Sequence, residues 1–218
     1  MGAAGRQGMN LAGIVLSAGR SSRMGQPKFA IDLRGRTLLR RCLDTLAAGG
    51  ASPILVVGRT DSAAALALAA GPDVIVAINP DPDRGMLSSV HAGLRTAADN
   101  PSAPAGDLWC YVLPVDCPAV LASTCALLSA AVHGTEAAAA IPEHRGRRGH
   151  PVLLGPEVAR SVREAVEADG GGTLAQVLAA FGERVCVVPV DDSAVTDNVN
   201  RPGDVQRLRE RLQEEDGR

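Results

Sequence analysis

The sequence predicts an α/β fold in which a mostly parallel, twisted sheet is covered on both faces by helices, a three-layer sandwich. Short apolar runs without polar alternation recur along the 218 residues, the mark of strands buried on both faces. Segments with helical spacing of apolar residues separate those runs, and Gly or Pro punctuates nearly every junction. Ligands of such sheets bind at the carboxyl ends of the strands, so the loops after strands are where chemistry is expected.

Residues 11–17 (LAGIVLS) form the first strand and run into a Gly/Ser-rich loop. A helix over 37–48 places Leu38, Leu39, Cys42, Leu43 and Leu46 on one face and stops at Gly49-Gly50. A strand at 53–57, an Ala-rich helix at 61–69 and a strand at 73–78 follow, each bounded by Gly or Pro. A helix over 88–98, a central strand at 108–113 (LWCYVL) and a helix over 119–132 continue the alternation. The pattern then changes. A weak strand at 137–141, a basic loop (EHRGRRGH) and a strand PVLL resemble an antiparallel excursion more than another βαβ unit. A helix at 156–168, a Gly-rich break at 170–172, a short helix at 174–180, a strand at 184–188 and a terminal helix from Pro202 complete the chain. The organisation expected is a flexible leader over 1–10 and a single domain over 11–214.

Composition excludes several function classes. Apolar content of 46%, charged content of 21% and a formal net charge of −2 argue against disorder and against bulk binding to nucleic acid. Aromatics make up 2%, and Trp109 and Tyr111 share one apolar run, so no set of platforms exists for stacking bases. Five cysteines without a CxxC pair fit reduced thiols and a cytoplasmic setting. The four histidines lack metal-ligand spacing. Residues 1–9 carry no apolar stretch of a secretion signal, and no run reaches the length of a membrane span.

The loop after the first strand, SAGRSSRMGQPK over 17–28, combines small residues, hydroxyls and three cations within twelve positions. Gly19 and Gly25 allow tight turns that bring N–H groups to an anion, and Arg23 and Lys28 supply a forked and a point charge for phosphates. It is neither a Walker A loop nor GxGxxG. The central strand ends in Pro114-Val115-Asp116-Cys117-Pro118, which puts one carboxylate where a hard oxygen ligand for Mg²⁺ is expected. Composition alone favours a turn or helix-cap role for that aspartate. Cys117 beside it reads as packing, because no His lies near it in sequence and phosphoryl transfer here needs no covalent intermediate.

The pattern LxAGxSxRMGxPK resembles the signature of nucleotidyltransferases of the molybdenum-cofactor type, relatives of the sugar-phosphate and methylerythritol-phosphate nucleotidyltransferases. The resemblance implies a Rossmann-like, GT-A-like nucleotide-diphospho-sugar transferase fold. It also implies nucleotide contacts for Leu16, Ala18, Gly19, Ser22, Arg23 and Lys28, with Arg23 and Lys28 steadying the leaving pyrophosphate. The LPxDxP match makes Asp116 the metal ligand. Asn79 with Gly85 and Ser88 resembles the segment that faces the nucleobase. Thr196 to Asp204 (TDNVNRPGD) resembles the closing motif, in which Asn198 takes a metal-ligand place and Asn200 an acceptor-side place. An amide binds a cation less strongly than a carboxylate, and Asp197 is the neighbouring substitute. The stretch RGRRGHPV resembles the acceptor side of the cytidylyltransferase branch, implicating Arg148 and His150.

The activity so implied is transfer of NMP, CMP from CTP in first place, to the phosphate of molybdopterin with Mg²⁺ as cofactor and release of pyrophosphate. The partners implied are a nucleoside triphosphate, a phosphorylated molybdopterin-like acceptor and a molybdoenzyme that receives the product, with no nucleic acid and no membrane. Asn198-Val199-Asn200 resembles the guanylyl branch, which keeps GTP open. A sugar- or polyol-phosphate nucleotidyltransferase and a non-catalytic cofactor-binding chaperone are the other readings.

Overall fold

The computed structural model describes residues 9–21, 24–101, 106–168 and 172–216. In chain order the elements are β1 (Asn10–Leu16), β2 (Asp32–Leu33), β3 (Arg36–Thr37), α1 (Leu38–Ala48), β4 (Ile54–Arg59) and α2 (Ala63–Ala70). There follow β5 (Ile75–Asn79), α3 (Met86–Ala98), β6 (Leu108–Pro114), α4 (Ala122–Val132), β7 (Ala139–His144) and β8 (Arg147–Arg148). The last are β9 (Val152–Leu154), α5 (Pro156–Glu167), α6 (Leu174–Ala179), β10 (Val185–Pro189) and α7 (Pro202–Asp216).

The main sheet runs β10-β7-β9-β6-β1-β4-β5, with β8 pairing β7. The pairs β6–β1, β1–β4, β4–β5 and β10–β7 are parallel, and β9 is antiparallel to both of its neighbours. The expected mixed α/β sandwich with an antiparallel excursion is therefore present. Because successive side chains of a strand point to opposite faces, each central strand feeds two cores. Val15, Val56, Tyr111 and Leu153 pack with α1, α2, α4 and α7 on one side; Ile14, Val57, Val112 and Leu154 pack with α3, α5 and α6 on the other. This is why the strands read as unbroken apolar runs.

Register does the positioning. β1 and β6 pair without slippage from Asn10↔Leu108 to Leu16↔Pro114, so both strands end at one level and their following loops emerge side by side. On the opposite core, α3 lies close to β1 because residue 93 is glycine. A Cβ there would sit 2.6 Å from Ile14 Cγ2, too near for any side chain without displacing the helix. That approach holds the first turn of α3 beside the ends of β1 and β4.

Element ends differ from expectation in ways the backbone explains. The helix expected over 119–132 begins at Ala122, because Cys117 N donates to Pro114 O and the chain is still turning there. The strand expected at 137–141 extends to His144, where β8 folds back on it. The β2–β3 hairpin was not expected: its turn places Arg34 and Gly35 at φ +60° and +78°, a conformation usually announced by Asn-Gly rather than Arg-Gly. Residues 1–8 of the expected leader and 170–171 of the Gly-rich break lie outside the described residues, and Asn10 already belongs to β1. Among the described residues no helix is long and apolar enough to cross a membrane.

All five cysteines are free thiols, four of them buried and Cys186 partly exposed. Burial pushes Cys110 and Cys125 up to about 12, and Cys42 and Cys117 are raised by burial and then by the Asp116 carboxylate. Thiolate is the reactive form, so these four react slowly while folded. Titration of the native protein with an aromatic disulfide at pH 8 is expected to show one fast thiol, Cys186, and all five after unfolding. Several fast thiols in the native protein would contradict the burial of the other four.

Candidate active site

The site forms where β1, β6 and the segment before α7 end together. Ser17 N donates to Val57 O at 2.8 Å and Val115 N to Leu16 O at 3.0 Å, carrying sheet pairing one residue past the strands and opening the chain at Ala18 and Asp116. The loop from Ser17 returns through a one-turn 3₁₀ helix at Lys28–Ala30. Its Phe29 is buried, and so is Ile31 just after it. These two apolar anchors fix the turn in the core, and Lys28 N donates to Ser21 Oγ at 3.2 Å. Lys28 is thereby committed to the cleft.

Its ammonium donates to Asp116 Oδ2 at 2.9 Å and to Asn200 Oδ1 at 2.8 Å. The three residues come from sequence positions up to 172 apart. The C-terminal segment is pinned by Val199 N donating to Asp116 O at 2.8 Å, and Asp204 Oδ2 accepts from Asn200 N and Arg201 N, both at 2.8 Å, as α7 begins. Lys28 and Asp116 side chains keep only 16% and 22% of their exposure, so this pair is poorly screened by solvent.

The cleft beside them has a volume of about 280 Å³; Leu16, Ala18, Gly19, Lys28, Gly85 and Asp116 are on its wall, as are Met86 and Ser89 from the start of α3. Small residues on the β1 side leave the backbone exposed to whatever enters. Across the mouth, the exposed Arg20 pairs with Asp83, joining the first loop to the turn before α3.

The remaining expected site residues fall out as follows. Ser22 and Arg23 lie outside the described residues. Asn79 and Ser88 are buried and bonded to one another: Asn79 Nδ2 donates to Ser88 Oγ at 2.8 Å and Ser89 Oγ at 2.9 Å, and Ser88 Oγ donates to Gly85 O at 2.8 Å. They hold the 79–88 turn in shape, while Gly85, Met86 and Ser89 face the cleft. Asn198 accepts from the Cys117 thiol at 3.1 Å, so of the two amides it is Asn200 that shares a cation with Asp116. Asp197 is engaged elsewhere, paired with Arg211.

His150 is held in place from its backbone, with N donating to Val195 O at 2.8 Å. The preceding position must be glycine, since a Cβ on Gly149 would lie 2.1 Å from Val195 O. Burial lowers the His150 imidazole below its ordinary range, with Asp116 opposing, and its Nδ1 is buried without a partner. A neutral imidazole near Asp116 with an unused nitrogen suits hydrogen bonding to a ligand. Arg148 is exposed and is not among the residues lining the cleft. Arg147, Asn198, Arg207 and Arg211 line a neighbouring hollow of about 340 Å³. Sequence reading missed Arg207, for which a basic residue soon after the closing motif was the only signal; Arg147 lies in the RGRRGHPV stretch that it singled out, and Ser89 is next to the Ser88 that it chose.

Among the described residues no group of three or more His, Cys, Asp or Glu could hold a metal by themselves. The Asp116 carboxylate and the Asn200 amide oxygen, which both accept from the Lys28 ammonium, are donor types that fit Mg²⁺, which is ordinarily held by one or two carboxylates together with substrate phosphates and water.

Residues 13–185 match the family described as MobA-like NTP transferase domain. The chain is similar to a probable molybdenum cofactor guanylyltransferase of Opitutus terrae, 38% identical over 114 residues, which cover 52% of this chain and 51% of that one. It is also similar to nicotine blue oxidoreductase of Paenarthrobacter nicotinovorans, 29% identical over 74% of this chain and 78% of that one. The chain spans from about half to about three fifths of the length of the guanylyltransferases it matches. In fold it resembles a nucleotidyl transferase of Methanothermobacter thermautotroptrophicus, with a TM-score of 0.75 at 24% identity over 95% of this chain and 100% of that one.

Proposed function

The chain belongs to the MobA-like NTP transferase domain family, and from that premise we propose that it transfers a nucleotidyl group to the phosphate of a molybdopterin-type acceptor. In this reading residues 11–214 work as one domain. The observation that carries it is the Lys28 ammonium held between Asp116 and Asn200 at the mouth of the cleft. That arrangement joins a movable positive charge to oxygen donors for a divalent cation, the two charges a triphosphate requires.

An acceptor phosphate oxygen attacks the α-phosphorus, the bond from that phosphorus to the β-bridging oxygen breaks, and pyrophosphate leaves with the electron pair. A phosphate monoester dianion needs no strong general base at neutral pH, which agrees with a site whose nearby histidine is kept neutral. Asp116 and Asn200 would hold Mg²⁺, which neutralises phosphate charge when bound. Lys28, released from Asp116 as phosphates arrive, follows the charge that develops on pyrophosphate, and Arg23 assists it from the same loop. The backbone at Leu16, Ala18 and Gly19 receives the nucleotide, with Gly85 on the base side, and the family resemblance adds Ser22 to these contacts; Asn79 and Ser88 act by holding the turn before α3. His150 Nδ1 is offered to the acceptor, with Arg148 farther out. A molybdoenzyme is the recipient of the product.

For the nucleotide, the Ala18-Gly19 dipeptide and the GHPV stretch favour CTP, whereas Asn198-Val199-Asn200 and the names of the similar guanylyltransferases favour GTP. The similar curated proteins are guanylyltransferases, which adds a line from outside the motifs to Asn198-Val199-Asn200, and the reading adopted is guanylyl transfer. Pyrophosphate release in the presence of Mg²⁺ is expected with GTP plus molybdopterin, and not with GTP alone. Acceptor-dependent release with CTP would return the reading to cytidylyl transfer. Nucleotide binding with no release under any pairing would make the protein a cofactor-binding chaperone.

A further inference from the structure

A second concavity opens at the other end of the sheet. It has a volume of about 350 Å³ and lies between α3, α5 and the start of β6. The candidate active site is at the carboxyl end of β6 and this groove is at its amino end, so the seven-residue strand separates them by about 20 Å. Its floor is apolar, with Leu94, Leu108, Cys110 and Ala159. Its rim carries Arg95 from α3 and Arg160 and Arg163 from α5, together with His91.

Arg20, Arg59 and Arg184 pair with carboxylates, whereas no side-chain hydrogen bond or ion pair joins Arg95, Arg160 or Arg163 to any described residue, although the Arg160 charge is felt by Glu157. Arg160 and Arg163 sit three apart on one helix face, where like charges repel. The local field is felt by His91: its imidazole is held below the ordinary range first by burial and then by Arg95, Arg163 and Arg84, with Glu167 opposing. Two carboxylates, Asp99 and Asp107, also line the groove.

We propose that the groove between α3 and α5 binds a nucleoside phosphate, with its phosphate on the Arg95, Arg160 and Arg163 guanidinium groups and its apolar ring face on the floor. Forked guanidinium donors match phosphate oxygens, and an apolar floor to which the partly exposed Leu108 and Ala159 contribute suits a flat body of base size. Asp99 and Asp107 accept from ribose hydroxyls or base amines, which an inorganic anion lacks. The site is distinct from the catalytic cleft but shares a helix with it: Met86 and Ser89 of α3 line the cleft, and His91, Leu94 and Arg95 of the same helix line the groove.

The test is equilibrium dialysis of the full chain with radiolabelled GMP, measured for the wild type, for Lys28→Met and for Arg95→Gln/Arg160→Gln/Arg163→Gln. The expected result is a class of sites that Lys28→Met retains and the triple variant loses, with affinity lower by roughly tenfold or more. The triple variant alters only groove-rim side chains, and its far-ultraviolet circular dichroism and pyrophosphate release without added GMP are expected to match the wild type. The same stoichiometry and affinities in the triple variant and the wild type would overturn the proposal. Competition by inorganic phosphate as strong as that by unlabelled GMP would overturn the nucleoside part of it. Loss of all GMP binding in Lys28→Met would leave the groove without a ligand and overturn it as well. Failure of guanylyl transfer itself would appear as absent pyrophosphate release with this second class of sites intact.

Discussion

Lys28→Met is expected to lower kcat/KM for pyrophosphate release by about 10²- to 10³-fold, the usual cost of removing one preorganised charge from a transition state. Lys28 is the residue through which the first loop, the end of β6 and the segment before α7 meet, since its ammonium serves Asp116 and Asn200 together. Methionine keeps the apolar stem and deletes the charge together with the donors to Asp116 and Asn200. The turn should persist, because Phe29 and Ile31 remain buried. Loss of turnover is therefore expected in a protein that still folds, with a fall in the unfolding temperature because the Asp116 carboxylate is left without its partner. Lys28→Arg is expected to recover only part of the activity, as a planar fork cannot place one donor on both oxygens as an ammonium does. Asp116→Asn should lose turnover to a similar degree and shift the Mg²⁺ dependence to higher concentration. A fully active Lys28→Met variant in steady-state kinetics would remove the charge-neutralisation mechanism.

The second large effect is on stability and comes from a residue with no motif around it. Asp192 is buried, and its carboxylate accepts from Leu121 N at 2.9 Å, Thr124 Oγ1 at 2.8 Å and Ala194 N at 3.0 Å. It thereby ties the turn after β10 to the start of α4. Asp192→Ala deletes both acceptor oxygens and the three bonds they accept, leaving buried donors unsatisfied, at a cost of about 3 kcal/mol. For a chain of this length that corresponds to a fall in Tm of roughly 6–12 °C. Asp192→Asn keeps one acceptor oxygen and should fall between the two. Because the same turn leads to Asn198 and Asn200, Asp192→Ala should also loosen the bond from Lys28 to Asn200 and raise KM at temperatures where the protein is still folded. Calorimetric unfolding of the three proteins measures the first effect; an unchanged Tm in Asp192→Ala would mean that the anchor contributes nothing.

These two residues differ in how legible they are before folding. Lys28 could be named from the chain because it closes a phosphate-binding loop after a buried strand, and Asp116 because its loop resembles the LPxDxP motif, since composition alone favours a turn or cap role for it. The order of strands and helices, the antiparallel excursion around β9, the reduced cysteines and the family were open to the same reading. Residues whose role depends on a distant partner were not. Asp192 looks like one half of an ordinary Asp-Asp turn until α4 packs 68 to 71 residues away in sequence. Ser88 looks exposed at a helix start until Asn79 turns inward to meet it.

What the sequence by itself determined, then, is the alternation of elements and the two-sided burial of the sheet, which follow from local composition and period, together with the residue types that its loops carry. The tertiary structure decided which of these groups share a cation, which serine faces the cleft, and which arginines gather around the groove at the far end of the sheet. Those outcomes depend on register: the pairing of Leu16 with Pro114 brings two loops to one level, and Val199 bonded to Asp116 brings in a third. Register is fixed by side chains filling two cores at once, a condition on the whole sheet that no single segment carries.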